Sequence, residues 1–168
     1  FVVLHIEEII QLPIDMNCLN SSLVKKLASK VDLETLDSMK DKRDKLQSKL
    51  FMKKLELVFD KPENLLTRCV HCSQLFTKAQ LEWQKCPKGS IFVTASGEVT
   101  THHVGDKAWE LNKFVMSLRA QKVAWKYIFW KFFSCMLEFK CSTCGDRFTG
   151  NMLNQCHYHE SKPSFLAG

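Results

Sequence analysis

No stretch of this chain reaches the roughly 18 uninterrupted apolar residues that a membrane-spanning helix needs. The apolar opening from Phe1 to Ile10 is too short and carries Glu7 and Glu8, and the aromatic run from Val123 to Cys135 is interrupted by Lys126 and Lys131. Catalytic signatures are missing as well. There is no G-x-S-x-G nucleophile elbow, no P-loop, no G-x-G-x-x-G and no H-E-x-x-H. The H-x-E followed by P-C-x-x-C of the zinc deaminases is absent too. Asp and Glu are scattered without a paired-carboxylate signal. Neither a secretory signal peptide nor a low-complexity tract is in view. These absences lead us to expect a protein that is not an enzyme and has no membrane partner. An intracellular location, nuclear or cytoplasmic, is expected on the separate ground of its cysteine chemistry.

What the chain does hold is an ordinary globular composition: 168 residues, 45% hydrophobic and 25% charged, enough for one compact domain or two small lobes. The net charge of +6 suits an acidic partner but falls short of the dense basic stripe of a dedicated nucleic-acid reader. The chain opens at Phe1 without a methionine and reads as a piece of something longer.

Eight cysteines are its most informative feature. Six fall into two clusters, Cys69, Cys72 and Cys86, then Cys141, Cys144 and Cys156, and each cluster opens with C-x-x-C. Cys18 and Cys135 stand alone in apolar surroundings. An extracellular disulfide domain would spread and pair its cysteines. Two C-x-x-C clusters with histidines nearby read instead as metal sites in a reducing compartment. Cys135, within Phe132-Phe133-Ser134-Cys135-Met136-Leu137, reads as an inert buried thiol rather than a nucleophile.

The second cluster is the fuller of the two: Cys141-x2-Cys144-x11-Cys156-x2-His159. Zinc takes four soft or borderline donors in a tetrahedron, and two such pairs supply them. Gly145, directly after Cys144, allows the chain to curl so that amides face the thiolates. His157 competes with His159 but would strain the turn beside Cys156. In the first cluster, Cys69-x2-Cys72-x13-Cys86, the fourth donor is less obvious. His71 lies inside the C-x-x-C and would have to point away. His102 and His103 end a predicted hairpin, where adjacent side chains take opposite faces, so one alone can face the metal; His103 is preferred. Four donors at each cluster close the coordination sphere, so two structural Zn2+ ions are expected and no catalytic residues.

The rest reads as a mainly α protein with one small β-hairpin and two zinc-stabilised loops. Residues 1–60 form a helical lobe and 61–168 a zinc-binding lobe with a long helix, the two making one unit. Asn20 to Ser22 cap a helix to about Lys30. Asp32 with Thr35 opens a short one. A third runs from about Asp41 to Phe59, with Leu46, Leu50, Leu55, Val58 and Phe59 on one face. After the breaker Lys61-Pro62-Glu63-Asn64, the β-prone runs Ile91 to Thr94 and Val99 to His102 flank the turn Ala95-Ser96-Gly97-Glu98. Asp106 can cap a long helix through Trp109, Leu111, Val115, Leu118, Trp125 and Phe129. Its aromatic part reads most plainly as core, then as a protein-partner groove, and least as a base-stacking platform. No repeat is visible beyond the two cysteine clusters.

Three stretches carry a family resemblance. They are Leu12-Pro13-Ile14-Asp15-Met16-Asn17-Cys18-Leu19-Asn20, then Asp41-Lys42-Arg43-Asp44-Lys45-Leu46-Gln47-Ser48-Lys49-Leu50-Phe51 with Lys53-Lys54-Leu55. The third is the pair of cysteine clusters with Asp106-Lys107-Ala108-Trp109 after the histidine pair. Over about residues 10–160 the chain resembles the region following the BTB domain in the SANT-and-BTB regulators of class-switch recombination. The resemblance implies a parent that is a nuclear regulator and homodimerises through a BTB domain lying outside this chain. On that basis we expect a regulatory scaffold for protein–protein contacts, with a zinc-dependent nucleic-acid-binding module as the alternative.

Overall fold

The computed structural model describes residues 5–11 and 19–153. Helix α1 spans Ile6–Gln11. Helix α2, Ser21–Lys30, opens where Asn20 accepts the Leu23 amide on its side chain at 2.8 Å. Such a cap satisfies an amide that the helix leaves without an internal partner. Val24, Leu27, Ala28 and Val31 then recur at helical spacing and are buried together. Helix α3, Leu33–Ser38, is capped by Asp32, which takes both the amide and the hydroxyl of Thr35. Both starts match the sequence expectation because each cap acts three residues ahead of itself.

Helix α4 spans Gln47–Phe59 and not Asp41–Phe59 as expected. The chain cannot continue helically through Asp44, which sits in the left-handed region at φ 48°. Asp41 instead reaches forward across this loop. Its carboxylate accepts the amides of Lys45 at 3.0 Å, Leu46 at 2.8 Å and Gln47 at 2.9 Å. Burial alone would raise its pKa, but these amides outweigh burial and hold the carboxyl below the usual range. Leu46, Leu50 and Leu55 are buried as the pattern predicted, Phe51 joins them, and Val58 and Phe59 are only half-buried.

The expected long helix is two helices, α5 (Leu111–Ala120) and α6 (Trp125–Met136). Between them the Val123 amide bonds to the Leu118 carbonyl and the Lys122 amide to the Arg119 carbonyl. That is a Schellman ending. Its left-handed residue is Lys122, at φ 62°, where glycine is usual. Asp106 is not a helix cap either: it accepts from the Arg68 guanidinium at 2.6 Å and from the Ala108 amide at 3.0 Å. In α6, Ile128, Phe129 and Phe132 are fully buried while Tyr127 is exposed, so the aromatic run is mostly core.

Among the described residues, three two-stranded antiparallel hairpins stand where the sequence suggests one. Strands β1 (Leu66–Arg68) and β2 (Leu75–Thr77) flank the first C-x-x-C. Strands β3 (Ile91–Val93) and β4 (Val99–Thr101) form the predicted hairpin around Gly97. Strands β5 (Glu138–Lys140) and β6 (Arg147–Thr149) flank the second C-x-x-C. The two C-x-x-C loops are therefore hairpin tips.

Two compact units emerge. The first comprises the described residues up to Pro62 with Val115–Trp130, and the second Glu63–Phe114 with Lys131 onward. In the first unit Ile6, Leu36, Leu46, Leu50, Phe51, Ile128 and Phe129 are almost wholly buried, with the Phe51 and Phe129 rings 5.5 Å apart. Burying one such side chain contributes about 1.5–3 kcal/mol. No helix among the described residues is long and apolar enough to cross a membrane.

Candidate metal centre

The first C-x-x-C begins as β1 ends. Its tip closes when the Cys69 amide bonds to the Gln74 carbonyl at 2.8 Å and the Ser73 amide to the Cys69 carbonyl at 3.0 Å. Ser73 adopts φ 63° to make that curl. The chain then runs through β2 and the short 3-10 turn Ala79–Glu82 to Cys86. The β3–β4 hairpin brings it back, and residues 104–106 lie alongside β1. The Val70 amide donates to the Val104 carbonyl, Cys69 forms a bridge with Gly105, and the Asp106 amide donates to the Arg68 carbonyl. This pairing fixes His103 beside the cysteines.

Cys69, Cys72, Cys86 and His103 consequently present four ligand atoms that all lie within 4.8 Å of one another. These are the four residues the sequence assigned to the first site. The group could hold a metal ion. A tetrahedral ion with thiolates at about 2.3 Å and an imidazole nitrogen at about 2.0 Å sets its sulfurs about 3.8 Å apart and sulfur from nitrogen about 3.5 Å. The Cys69 and Cys86 sulfurs are 3.8 Å apart, and the Cys72 sulfur is 3.4 Å from His103 Nδ1. Nδ1 is thus the nitrogen that faces the sulfurs. Nε2 is buried without a hydrogen-bond partner, and the ring stacks on Phe76 at 5.1 Å. His102 is exposed and lies against Phe92, while His71 is exposed at the tip. Of these histidines, His103 is the one placed beside the cysteines.

The surroundings favour a negative sulfur at Cys69 and oppose one at Cys72. Burial opposes ionisation of Cys69, but amides of Cys72, His71 and Val104 and the His103 ring bring it down to about 6. Cys72 goes the other way, to about 11, through burial and the neighbouring Cys69 and Cys86 sulfurs. The pair thus shares one negative charge, and a bound cation is what would let all the sulfurs ionise together. Around them, Cys69, Phe76 and Cys86 form a small buried cluster with Cys72 and Leu81 against it.

The second C-x-x-C repeats this local structure. The Cys141 amide bonds to the Asp146 carbonyl at 2.8 Å, and the Gly145 amide to the Cys141 carbonyl at 2.9 Å. Gly145, at φ 76°, occupies the place of Ser73. Phe148 and Thr149 correspond to Phe76 and Thr77, and the 3-10 turn Gly150–Met152 corresponds to Ala79–Glu82. The repeat therefore extends beyond the cysteines into both strands and the turn after them. The sequence reading missed it, although C-x-x-C-x-x-x-F-T occurs in both places. Cys141 is buried and Cys144 exposed. Cys156, His157 and His159, together with lone Cys18, lie outside the described residues.

Cys135 is buried, and its burial pushes the thiol up to about 11. A thiol so placed stays protonated at neutral pH. No family model matches the chain, and no solved structure matches it.

Proposed function

We propose that the chain is a non-enzymatic zinc-binding scaffold module whose two knuckles each hold a structural Zn2+. Cys69, Cys72, Cys86 and His103 would bind the first ion, and Cys141, Cys144, Cys156 and His159 the second. The observation that carries this reading is the four-donor group with tetrahedral edge lengths. Three thiolates with one imidazole are a borderline-soft set that suits zinc and leaves no position for a reactive water. The second ion is supported by the matching hairpin tip at Cys141 and Cys144.

A role in protein contacts draws support from the hairpin between Cys86 and His103. Ile91, Phe92, Val93 and Val99 are all more than half exposed there, and exposed apolar clusters of this kind mark interaction surfaces. Placement within a BTB-containing nuclear regulator rests on the resemblance of the sequence stretches alone.

Metal analysis of the purified chain tests the reading. Wild type and His102→Ala are expected to carry two zinc equivalents, and Cys72→Ser and His103→Ala one. Absence of metal, or a structure unchanged by exhaustive chelation, overturns it. Binding to duplex DNA that weakens steeply with salt would favour the nucleic-acid alternative.

A further inference from the structure

The two knuckles touch through side chains that flank the metal donors. Gln74, two residues beyond Cys72, and Gln84, two before Cys86, both donate their side-chain amides to the Met152 sulfur, each at 3.2 Å. Met152 ends the turn that follows the second knuckle. A thioether is a weak acceptor, so these contacts chiefly fix position. Gln84 is 4% exposed, and its side-chain oxygen is buried with no partner. Between the two glutamines, the Arg147 guanidinium of β6 lies 5.3 Å from the centre of the Trp83 ring. Gln80 is wholly buried, takes the Thr77 amide at 2.9 Å and donates to the Cys135 carbonyl at 2.8 Å in α6, the helix that leads into β5.

Segment 74–84 joins two donors of the first site and is thus held at several points by the second knuckle and its helix. Among the described residues of the second knuckle, Phe139 and Phe148 stack at 5.6 Å, with Phe139 over a third exposed. Resting on the zinc reading above, we infer that metal binding at the two knuckles is thermodynamically coupled through Met152 and Arg147, each ion raising the affinity of the other. An ion at Cys141 and Cys144 would order the turn carrying Met152. That turn then presents the flanks of Cys72 and Cys86 already in place, so the first ion spends less on ordering them.

Cobalt(II) titration of the full chain by absorbance, with a competing chelator, tests this. The product of the two wild-type association constants is compared with the product of those of Cys141→Ser/Cys144→Ser and Cys72→Ser, each retaining one site. The wild-type product should be larger by about fivefold or more, within the usual range of coupling between sites. In the Met152→Ala background the same ratio should fall towards one, although every ligand remains. A wild-type ratio of one, or a ratio that Met152→Ala leaves unchanged, overturns the inference. If a cysteine variant fails to fold, Met152→Ala alone decides: its overall two-metal constant should drop by at least the same factor, and no drop refutes the coupling. Failure of the zinc reading itself looks different, because the wild type would then bind no cobalt.

Discussion

The two units of this molecule fill their interiors with different materials. In the first, every residue found buried among the described ones is hydrophobic, from Ile6 through Leu55 to Phe129. In the second, the buried polar residues Thr77, Gln80, Gln84, His103 and Thr149 all gather, alongside the sulfurs of Cys69, Cys86, Cys135 and Cys141. An oily core holds itself together by excluding water. The second unit also buries Leu66, Phe76 and Phe132, but around its thiols, amides and imidazole that drive is weaker, and a cation is what would bind them. The first unit should therefore be indifferent to metal and the second dependent on it.

Chelation is the severest way to break that contrast. Amides of β1, β2 and the Cys86–His103 segment should lose hydrogen-exchange protection, while those of α2 and α4 keep theirs, because a structural zinc contributes on the order of 10 kcal/mol. Equal loss in both units would erase the distinction.

Gly89 gives a narrower cut. A Cβ there would stand 2.9 Å from the His102 carbonyl oxygen and 3.0 Å from the Cys86 Cβ. Gly89→Val should force the hairpin away from Cys86, cost about 1–3 kcal/mol and weaken metal at the first site, with the second site as the internal reference.

Asp41→Ala addresses the other unit. Losing this cap should lower urea stability by about 1–2 kcal/mol and leave the zinc count untouched. Because the amides hold the native carboxyl below its unfolded value, its contribution is full above about pH 4 and fades as pH falls through the lower native pKa. The gap between wild type and variant should accordingly close in acid; a gap independent of pH would show that charge is not involved.

The smallest effects compare the two tips directly. Gly145→Ala should cost about 1 kcal/mol, since a Cβ is disfavoured at positive φ. Ser73→Gly should gain less than about 1 kcal/mol, because relief at φ 63° is partly offset by a freer unfolded chain. Thermal melts of the zinc-loaded protein would read both.

What the sequence disclosed follows from distance along the chain. Asn20 and Asp32 cap the helix that starts beside them, so their signals are local and were legible. Asp41 acts across a loop, and its spacing matches no capping box. Lys122 ends α5 in the conformation that glycine normally marks, so one helix was expected where there are two. All six strands are three residues long, too short for alternation to show; β3 and β4 were legible because β-prone residues flank a turn with Gly97, whereas β1, β2, β5 and β6 flank cysteine loops that read as metal sites. The first four-donor group was readable because cysteine and histidine are chemically specific and their spacing marks them. The packing around Met152 was not, since neither glutamine nor methionine announces a partner dozens of residues away.

The reach of Asp41 also bears on how this stretch tolerates change. Its carboxylate meets three consecutive amides only because the intervening loop has its present length, while Lys42 and Arg43 within that loop are exposed. The loop thus works as a ruler: Lys42 and Arg43 can be exchanged freely, Asp44 less so because its carboxylate takes the Ser48 amide and hydroxyl, and the loop should tolerate neither the insertion nor the deletion of a single residue.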